Sequence, residues 1–157
     1  MDDDDSVRDV ISVLLREEGY NCVVANGAEM ALDVAGVEET PLVISDMKMP
    51  GRDGLWLLET LRERHPDTSV IMLTGFGDTE AAVDCLRRGA VDYLLKPPKL
   101  TDLIRAIERA LAKRRIDLAR KRYQKKLERM VRDRTTELRA ALKDIANTYQ
   151  NTLLALV

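Results

Sequence analysis

Three polar side chains that could do chemistry stand at the ends of consecutive apolar runs of β-strand length. They are Asp46, Thr74 and Lys96. In an open α/β sheet with parallel strands, ligands bind at the edge where the strands have their carboxyl ends. A carboxylate, a hydroxyl and an ammonium group at one such edge could combine a nucleophile with a cationic partner. The sequence therefore predicts a polar ligand site there.

Each of these residues also has an ordinary structural interpretation. Asp46 could cap a helix, Thr74 could be a turn residue before Gly75, and Lys96 could be a solvated surface lysine. These interpretations are independent of one another, and all of them would have to hold at the same edge of the sheet. We therefore favour the functional interpretation.

The elements that position these residues are predicted from hydrophobic periodicity. Helical and strand-like patterns alternate between residues 7 and 99, which indicates a parallel sheet with helices on both faces. An apolar strand should precede the first helix, yet only Met1 stands before four aspartates. We expect that strand either to be missing or to lie upstream of this sequence. The expected strands are 22–25, 42–45, 69–74 and 91–95, and the expected helices are 7–18, 28–35, 55–65 and 78–88.

The last third of the sequence predicts one long helix, because residues 99–157 contain no glycine or proline. Its apolar residues recur at spacings of three, four and seven, with a register change near residues 130–131, which is typical of a coiled coil. A single chain cannot bury such a stripe, so we expect a parallel homodimer. The stripe consists of Ile116, Tyr123, Leu127, Met130, Val131, Leu138, Leu142, Ile145, Tyr149 and Leu156.

Charge divides the chain into an acidic body and a basic stem. Residues 1–104 carry 21 acidic and 10 basic side chains, whereas residues 105–134 carry 4 acidic and 13 basic ones. The basic stem could bind nucleic acid or anionic lipid. We favour a solvated coiled-coil surface, because the basic residues are spaced around the apolar stripe and no aromatic stacking set follows. Nucleic-acid binding is therefore not expected.

The sequence also bears on localisation and redox state. No run of 18 apolar residues could cross a membrane, and no signal peptide is visible, so a cytoplasmic protein without membrane contact is expected. Cys22 and Cys85 stand among apolar or small neighbours, which favours reduced thiols over a disulfide.

Three stretches together resemble the receiver domain of response regulators in two-component signalling. They are DDDDSVRDVISVLLREEGY, PLVISDMKMPGRDGLWLL and SVIMLTGFGDTEAAVDCLRRGAVDYLLKPP. The resemblance implies a flavodoxin-like, doubly wound parallel sheet over residues 1–112, here without its first strand. It also implies a phosphorelay module that a sensor histidine kinase or a phosphotransfer protein phosphorylates.

By this resemblance Asp46 is the phosphoacceptor, and Thr74 and Lys96 contact the phosphoryl group. Thr74 and Tyr93 are then the switch residues, and the bond before Pro97 is cis. Mg²⁺ prefers carboxylate and carbonyl oxygens, and it offsets the charge of a carboxylate and a phosphate. The expected ligands are Asp2, Asp3, Asp46 and the main-chain carbonyl of Lys48.

The four aspartates at residues 2–5 could instead be a solubilising run, and Asp4 and Asp5 fall where the first helix begins. Negative charge suits that end of a helix.

The stem, residues 113–157, resembles the linker helix between a receiver and an HD-GYP cyclic di-GMP phosphodiesterase domain. A domain of that kind is absent from this chain, so we expect a regulatory module and not an enzyme. Two alternatives remain open: a phosphorylation-independent dimerisation scaffold of receiver fold, and a DNA-binding transcriptional regulator.

Overall fold

The structure is a computed structural model that describes residues 5–37, 40–75 and 79–155. Helices and strands alternate up to the last helix, as the periodicity predicts. The elements are α1 (Asp5–Glu17), α2 (Ala28–Val37), β1 (Leu42–Asp46), α3 (Gly54–Arg64), β2 (Ser69–Thr74), α4 (Thr79–Arg88), β3 (Asp92–Leu95) and α5 (Leu100–Ala155).

The described strands form one parallel sheet in the order β1-β2-β3. Asp46 lies opposite Leu73, and Thr74 lies opposite Leu95. Since all three strands run in the same direction, their carboxyl ends lie at one edge of the sheet. β2 is the middle strand, and all six of its residues are buried. Its sequence SVIMLT is accordingly apolar throughout its centre and does not alternate.

Helices cover both faces of the sheet. On one face, α2, α3 and α4 pack over the strands, and Leu57, Leu58 and Leu61 of α3 are fully buried there. On the other face, α1 and the first turns of α5 pack together around Leu15 and Ile107. The two-faced parallel arrangement predicted from the sequence is confirmed.

The predicted strand at residues 22–25 is wrong. These residues belong to no strand, although Cys22, Val23, Val24 and Ala25 have the composition of one. In the described part of the chain, β1 is the edge of the sheet, and no strand lies between it and this segment. Strand propensity becomes a strand only where a neighbouring backbone takes up the hydrogen bonds, so the segment stays irregular.

Helix α5 spans two compact units, Met1–Ile116 and Asp117–Val157. Within the first unit, its turns are fixed by Arg109, whose Nη2 lies 2.5 Å from Asp92 Oδ2, and by Arg114, whose Nε donates to the Asp67 carbonyl at 2.6 Å. In the second unit, every described side chain from Ala119 to Asn151 is exposed. The long helix is thus confirmed, and its apolar stripe faces solvent in a single chain.

Both cysteines are free thiols, as expected. Cys85 is buried, with its Sγ 3.7 Å from Met47 Sδ, and this burial raises the pKa of its thiol. Burial also raises the pKa of the half-buried Cys22 thiol, although the nearby Arg16 opposes this.

None of the helices in the described ranges is long and apolar enough to cross a membrane.

Candidate functional site

The ends of the three strands bring Asp46, Thr74 and Lys96 to one edge of the sheet. Asp46 is the last residue of β1 and Thr74 the last residue of β2, while Lys96 directly follows β3. The amide N–H of Lys96 donates to the Thr74 carbonyl at 2.8 Å, which extends the β2–β3 pairing to the lysine. The backbone therefore fixes where all three side chains originate.

Asp46 and Lys96 form an ion pair, with Lys96 Nζ 2.7 Å from Asp46 Oδ2. The Asp46 side chain is 9% exposed and the Lys96 side chain 24% exposed, so water screens the pair only in part. The second carboxylate oxygen, Asp46 Oδ1, accepts a weak hydrogen bond from the Lys48 amide at 3.3 Å. The carboxylate is consequently held at the edge by a cation on one oxygen and an amide on the other.

Thr74 is fully buried, and its hydroxyl has no hydrogen-bond partner among the described residues. A buried hydroxyl without a partner costs about 1–3 kcal/mol, so such groups are uncommon in folded proteins. This one lies at the strand edge that also carries the Asp46 carboxylate. An acceptor oxygen bound at that edge would satisfy it.

The loop after Asp46 folds back tightly on β1. The Met47 amide donates to the Leu73 carbonyl, and the Gly54 amide donates to the Met47 carbonyl, both at 3.0 Å. A Cβ on Gly54 would lie 2.2 Å from the Asp46 carbonyl oxygen, so only glycine fits there. Sequence reasoning assigned Gly54 no role, although the GRDG motif after Asp46 was a signal for a close turn.

The same loop leads into α3, whose Trp56 side chain is half-buried. Asp53 caps the helix, since its Oδ1 accepts from the Trp56 amide at 2.8 Å. The Arg52 guanidinium lies 4.1 Å from the Trp56 ring centroid and 3.5 Å from a Glu29 carboxylate oxygen. Trp56 is thus an intrinsic fluorophore beside the Asp46 loop.

Two further expectations concern the segment around Lys96. The bond between Lys96 and Pro97 is cis, as the resemblance implied. Tyr93 lies in β3 opposite Met72, and its partly buried side chain packs against the core cluster on the α3 face. The structure places Tyr93 in the strand that ends at Lys96.

Of the four predicted cation ligands, the structure describes two, Asp46 and Lys48. Asp2 and Asp3 lie outside the described residues. Within residues 5–37, 40–75 and 79–155, no three His, Cys, Asp or Glu side chains converge. The Asp46 carboxylate and the main-chain carbonyl of Lys48, two residues further along the chain, are oxygen donors of the type that Mg²⁺ prefers. The donors at hand fit a magnesium site that further carboxylates would complete.

Comparison with known proteins agrees with this fold. Residues 1–108 match the family described as the response regulator receiver domain. The DNA-binding transcriptional regulator NtrC of Escherichia coli K12 is 39% identical over 113 residues, which cover 71% of this chain and 24% of NtrC. The response regulator protein FleR of Pseudomonas aeruginosa is 39% identical over 109 residues, which cover 69% and 23%. The chain thus spans about a quarter of the length of these curated relatives.

Among solved structures, the receiver domain of NtrX from Brucella abortus is similar. It superposes with a TM-score of 0.68 and 38% identity over 71% of this chain and 94% of that domain. The chain therefore belongs to the response-regulator receiver family of two-component systems. The expected flavodoxin-like fold is confirmed, with three strands among the described residues. Receiver domains are regulatory, and phosphorylation with Mg²⁺ is standard in this family.

Proposed function

We propose that this protein accepts a phosphoryl group on Asp46 from a sensor histidine kinase or a phosphotransfer protein. The observation that carries the proposal is the Asp46–Lys96 ion pair beside the unpartnered Thr74 hydroxyl. In the transfer, a bond forms between an Asp46 oxygen and phosphorus while the phosphorus–nitrogen bond of the donor phosphohistidine breaks. The electron pair stays on the imidazole nitrogen, which takes up a proton.

We assign each residue of the proposed site a role in this reaction. Lys96 holds the carboxylate in the resting state and then contacts a phosphoryl oxygen, so that positive charge offsets the charge that builds up. The Thr74 hydroxyl donates to another phosphoryl oxygen, and Tyr93 turns inward as Thr74 moves. Mg²⁺, held by Asp46, the Lys48 carbonyl, Asp2 and Asp3, would supply further charge compensation.

Intact-protein mass spectrometry tests the acceptor. After incubation with acetyl phosphate and Mg²⁺, we expect a gain of one phosphoryl group that Asp46→Asn abolishes. The matched control is Asp53→Asn, which lies in the same loop and keeps a side-chain oxygen for the α3 cap. No gain in the wild type, or a gain that survives Asp46→Asn, would refute the proposal.

We further propose that the signal passes from a receiver domain, residues 1–112, into a dimeric coiled-coil stem, residues 113–157. The support is the row of exposed apolar side chains, such as Leu138 and Leu142, along the second unit. Sedimentation should give a dimer at tens of micromolar. Leu142→Lys should give monomers, whereas Ala140→Lys, off the stripe, should not. A monomeric wild type would contradict the dimer.

A DNA-binding regulator is the second candidate function. It is favoured by the printed description of NtrC as a DNA-binding transcriptional regulator and by the positive charge of residues 105–134. The other output, an HD-GYP cyclic di-GMP phosphodiesterase domain, remains a prediction that rests on the resemblance of the stem sequence alone. Binding of a duplex to this chain at low salt, weakening steeply as salt rises, would support direct DNA contact. Absence of binding at low salt would remove it for this chain.

A further inference from the structure

The apolar stripe of the stem consists of two sets of residues with the same spacing, seven, four and three, that are offset by one residue. The first phase is Ile116, Tyr123, Leu127 and Met130, and the second phase is Val131, Leu138, Leu142, Ile145 and Tyr149. The phases meet at a break between Met130 and Val131, which are 54% and 65% exposed. One residue turns the stripe by about 100° around an α-helix. The two phases therefore cannot form one continuous heptad seam, the line along which paired helices touch.

A pair of polar side chains lies on each side of the break, at the positions where one phase would extend into the other. If the first phase continued past the break, its next seam positions would hold Arg134 and Glu137, and Arg134 Nη1 lies 2.8 Å from Glu137 Oε2. If the second phase continued back past the break, its next seam positions would hold Glu128 and Gln124. There, Gln124 Nε2 donates to Glu128 Oε1 at 3.0 Å. Each phase can thus extend across the break by bringing one internally paired polar couple into the seam, which coiled coils tolerate at a cost in stability.

A second copy of this chain, parallel and in axial register, is the partner that fits such a stripe. It sets every residue opposite its own equivalent, so both helices change phase at the same height. Nine large apolar side chains of the stripe are exposed among the described residues. Each hides roughly 60–120 Å² when it is fully buried. Eighteen in a pair of helices give roughly 1,100–2,200 Å², which is the size of a stable interface.

We propose that the break is a switch point in this parallel dimer: residues 124–137 pair in either the first or the second phase, and phosphorylation of Asp46 changes the balance. The inference rests on the phosphoacceptor and the dimeric stem proposed above. Because each phase brings one polar couple into the seam, their free energies lie close, and a small differential interaction shifts the populations. Helix α5 contains no glycine or proline from Leu100 to Ala155, so one uninterrupted helix leads from the first unit through the break.

Two cysteine variants of the full 157-residue chain report the phase. Residue 130 lies in the seam of the first phase and residue 131 in the seam of the second. Met130→Cys and Val131→Cys are each treated with a short bis-maleimide, and the phase ratio is the yield of cross-linked dimer at residue 130 divided by that at residue 131. The protein with only its native thiols, Cys22 and Cys85, is the blank. A protein that sediments as a dimer but cross-links at neither position would have an antiparallel or staggered stem, which would overturn the proposal.

Two leucine substitutions should shift the phase ratio in opposite directions. Arg134→Leu makes the extended first phase apolar and should raise the ratio at least threefold. Glu128→Leu does the same for the extended second phase and should lower the ratio at least threefold. Arg129→Leu is the matched control, because Arg129 lies in neither seam, and it should leave the ratio unchanged. A fixed, static break would give the same ratio in all three variants, and that result would overturn the proposal.

Phosphorylation tests the control by the receiver. Acetyl phosphate with Mg²⁺ should shift the phase ratio at least threefold, and Asp46→Asn should abolish the shift. Intact mass and sedimentation of the same samples separate the possible failures. A protein that gains the phosphoryl group and sediments as a dimer, yet keeps its phase ratio, would overturn the switch alone. Absence of the phosphoryl group would overturn the proposed acceptor, and a monomer would overturn the proposed dimer, and the switch would fall with either.

Discussion

Replacing Gly54 with alanine should destabilise the receiver and move the phosphoacceptor. The added Cβ would lie 2.2 Å from the Asp46 carbonyl oxygen, 2.8 Å from Met72 Cε and 3.0 Å from Met47 Cα. Two of these neighbours are backbone atoms that β1 and its loop hold in place, so a side-chain rotation cannot relieve the contact. Overpacking of this kind costs about 3 kcal/mol at the upper end of its range. Alanine gains about 1 kcal/mol as a helix former at the start of α3. The expected net loss is about 2 kcal/mol.

Gly36→Ala is the matched control for this substitution. Gly36 lies in α2, and nothing lies within 4 Å of a Cβ built on it. Its φ lies outside the left-handed region, so alanine should stabilise the protein by about 0.5–1 kcal/mol. The two glycine-to-alanine changes are therefore expected to have opposite signs.

Urea unfolding, followed by Trp56 fluorescence and by circular dichroism, measures both variants. The rate of phosphoryl acceptance should also fall at least tenfold in Gly54→Ala, because a displacement of about 1 Å at a reacting group can cost on the order of 100-fold in rate. Gly36→Ala should leave that rate unchanged. A Gly54→Ala protein as stable as the wild type would refute the conclusion that glycine is required by the close approach to Asp46.

Two further predictions concern buried groups. Thr74→Val should leave the unphosphorylated protein equally stable or more stable by about 1 kcal/mol in urea unfolding, because it removes an unpartnered buried hydroxyl. Thr60→Val removes a hydroxyl that donates to the Trp56 carbonyl at 2.8 Å, so it should not stabilise the protein. A gain in stability from Thr60→Val equal to that from Thr74→Val would contradict the reasoning about Thr74. Cys85 has a thiol pKa raised above the ordinary 9.0 by burial, so its contribution to stability is present below pH 9 and is lost as pH rises through the raised value. The urea-midpoint difference between the wild type and Cys85→Ala should therefore narrow above pH 9, and a constant difference would contradict this.

The strand-end residues were predictable because hydrophobic periodicity is a local signal. The runs before Asp46 and Lys96 and the run ending at Thr74 mark buried strands by composition alone. In a parallel sheet, the ends of neighbouring strands must meet at one edge. The topology therefore places Asp46, Thr74 and Lys96 at one edge, and the long Lys96 side chain then reaches Asp46 across the end of β2.

Residues 22–25 and Gly54 show where such reasoning stops. Whether residues 22–25 become a strand depends on a neighbouring strand that takes up their hydrogen bonds, and local composition does not encode that neighbour. The need for glycine at Gly54 arises because the loop folds back on the Asp46 carbonyl, a contact that exists only after β1 and α3 have packed. The unpartnered hydroxyl of Thr74 is likewise a property of the packed edge and not of the sequence around it.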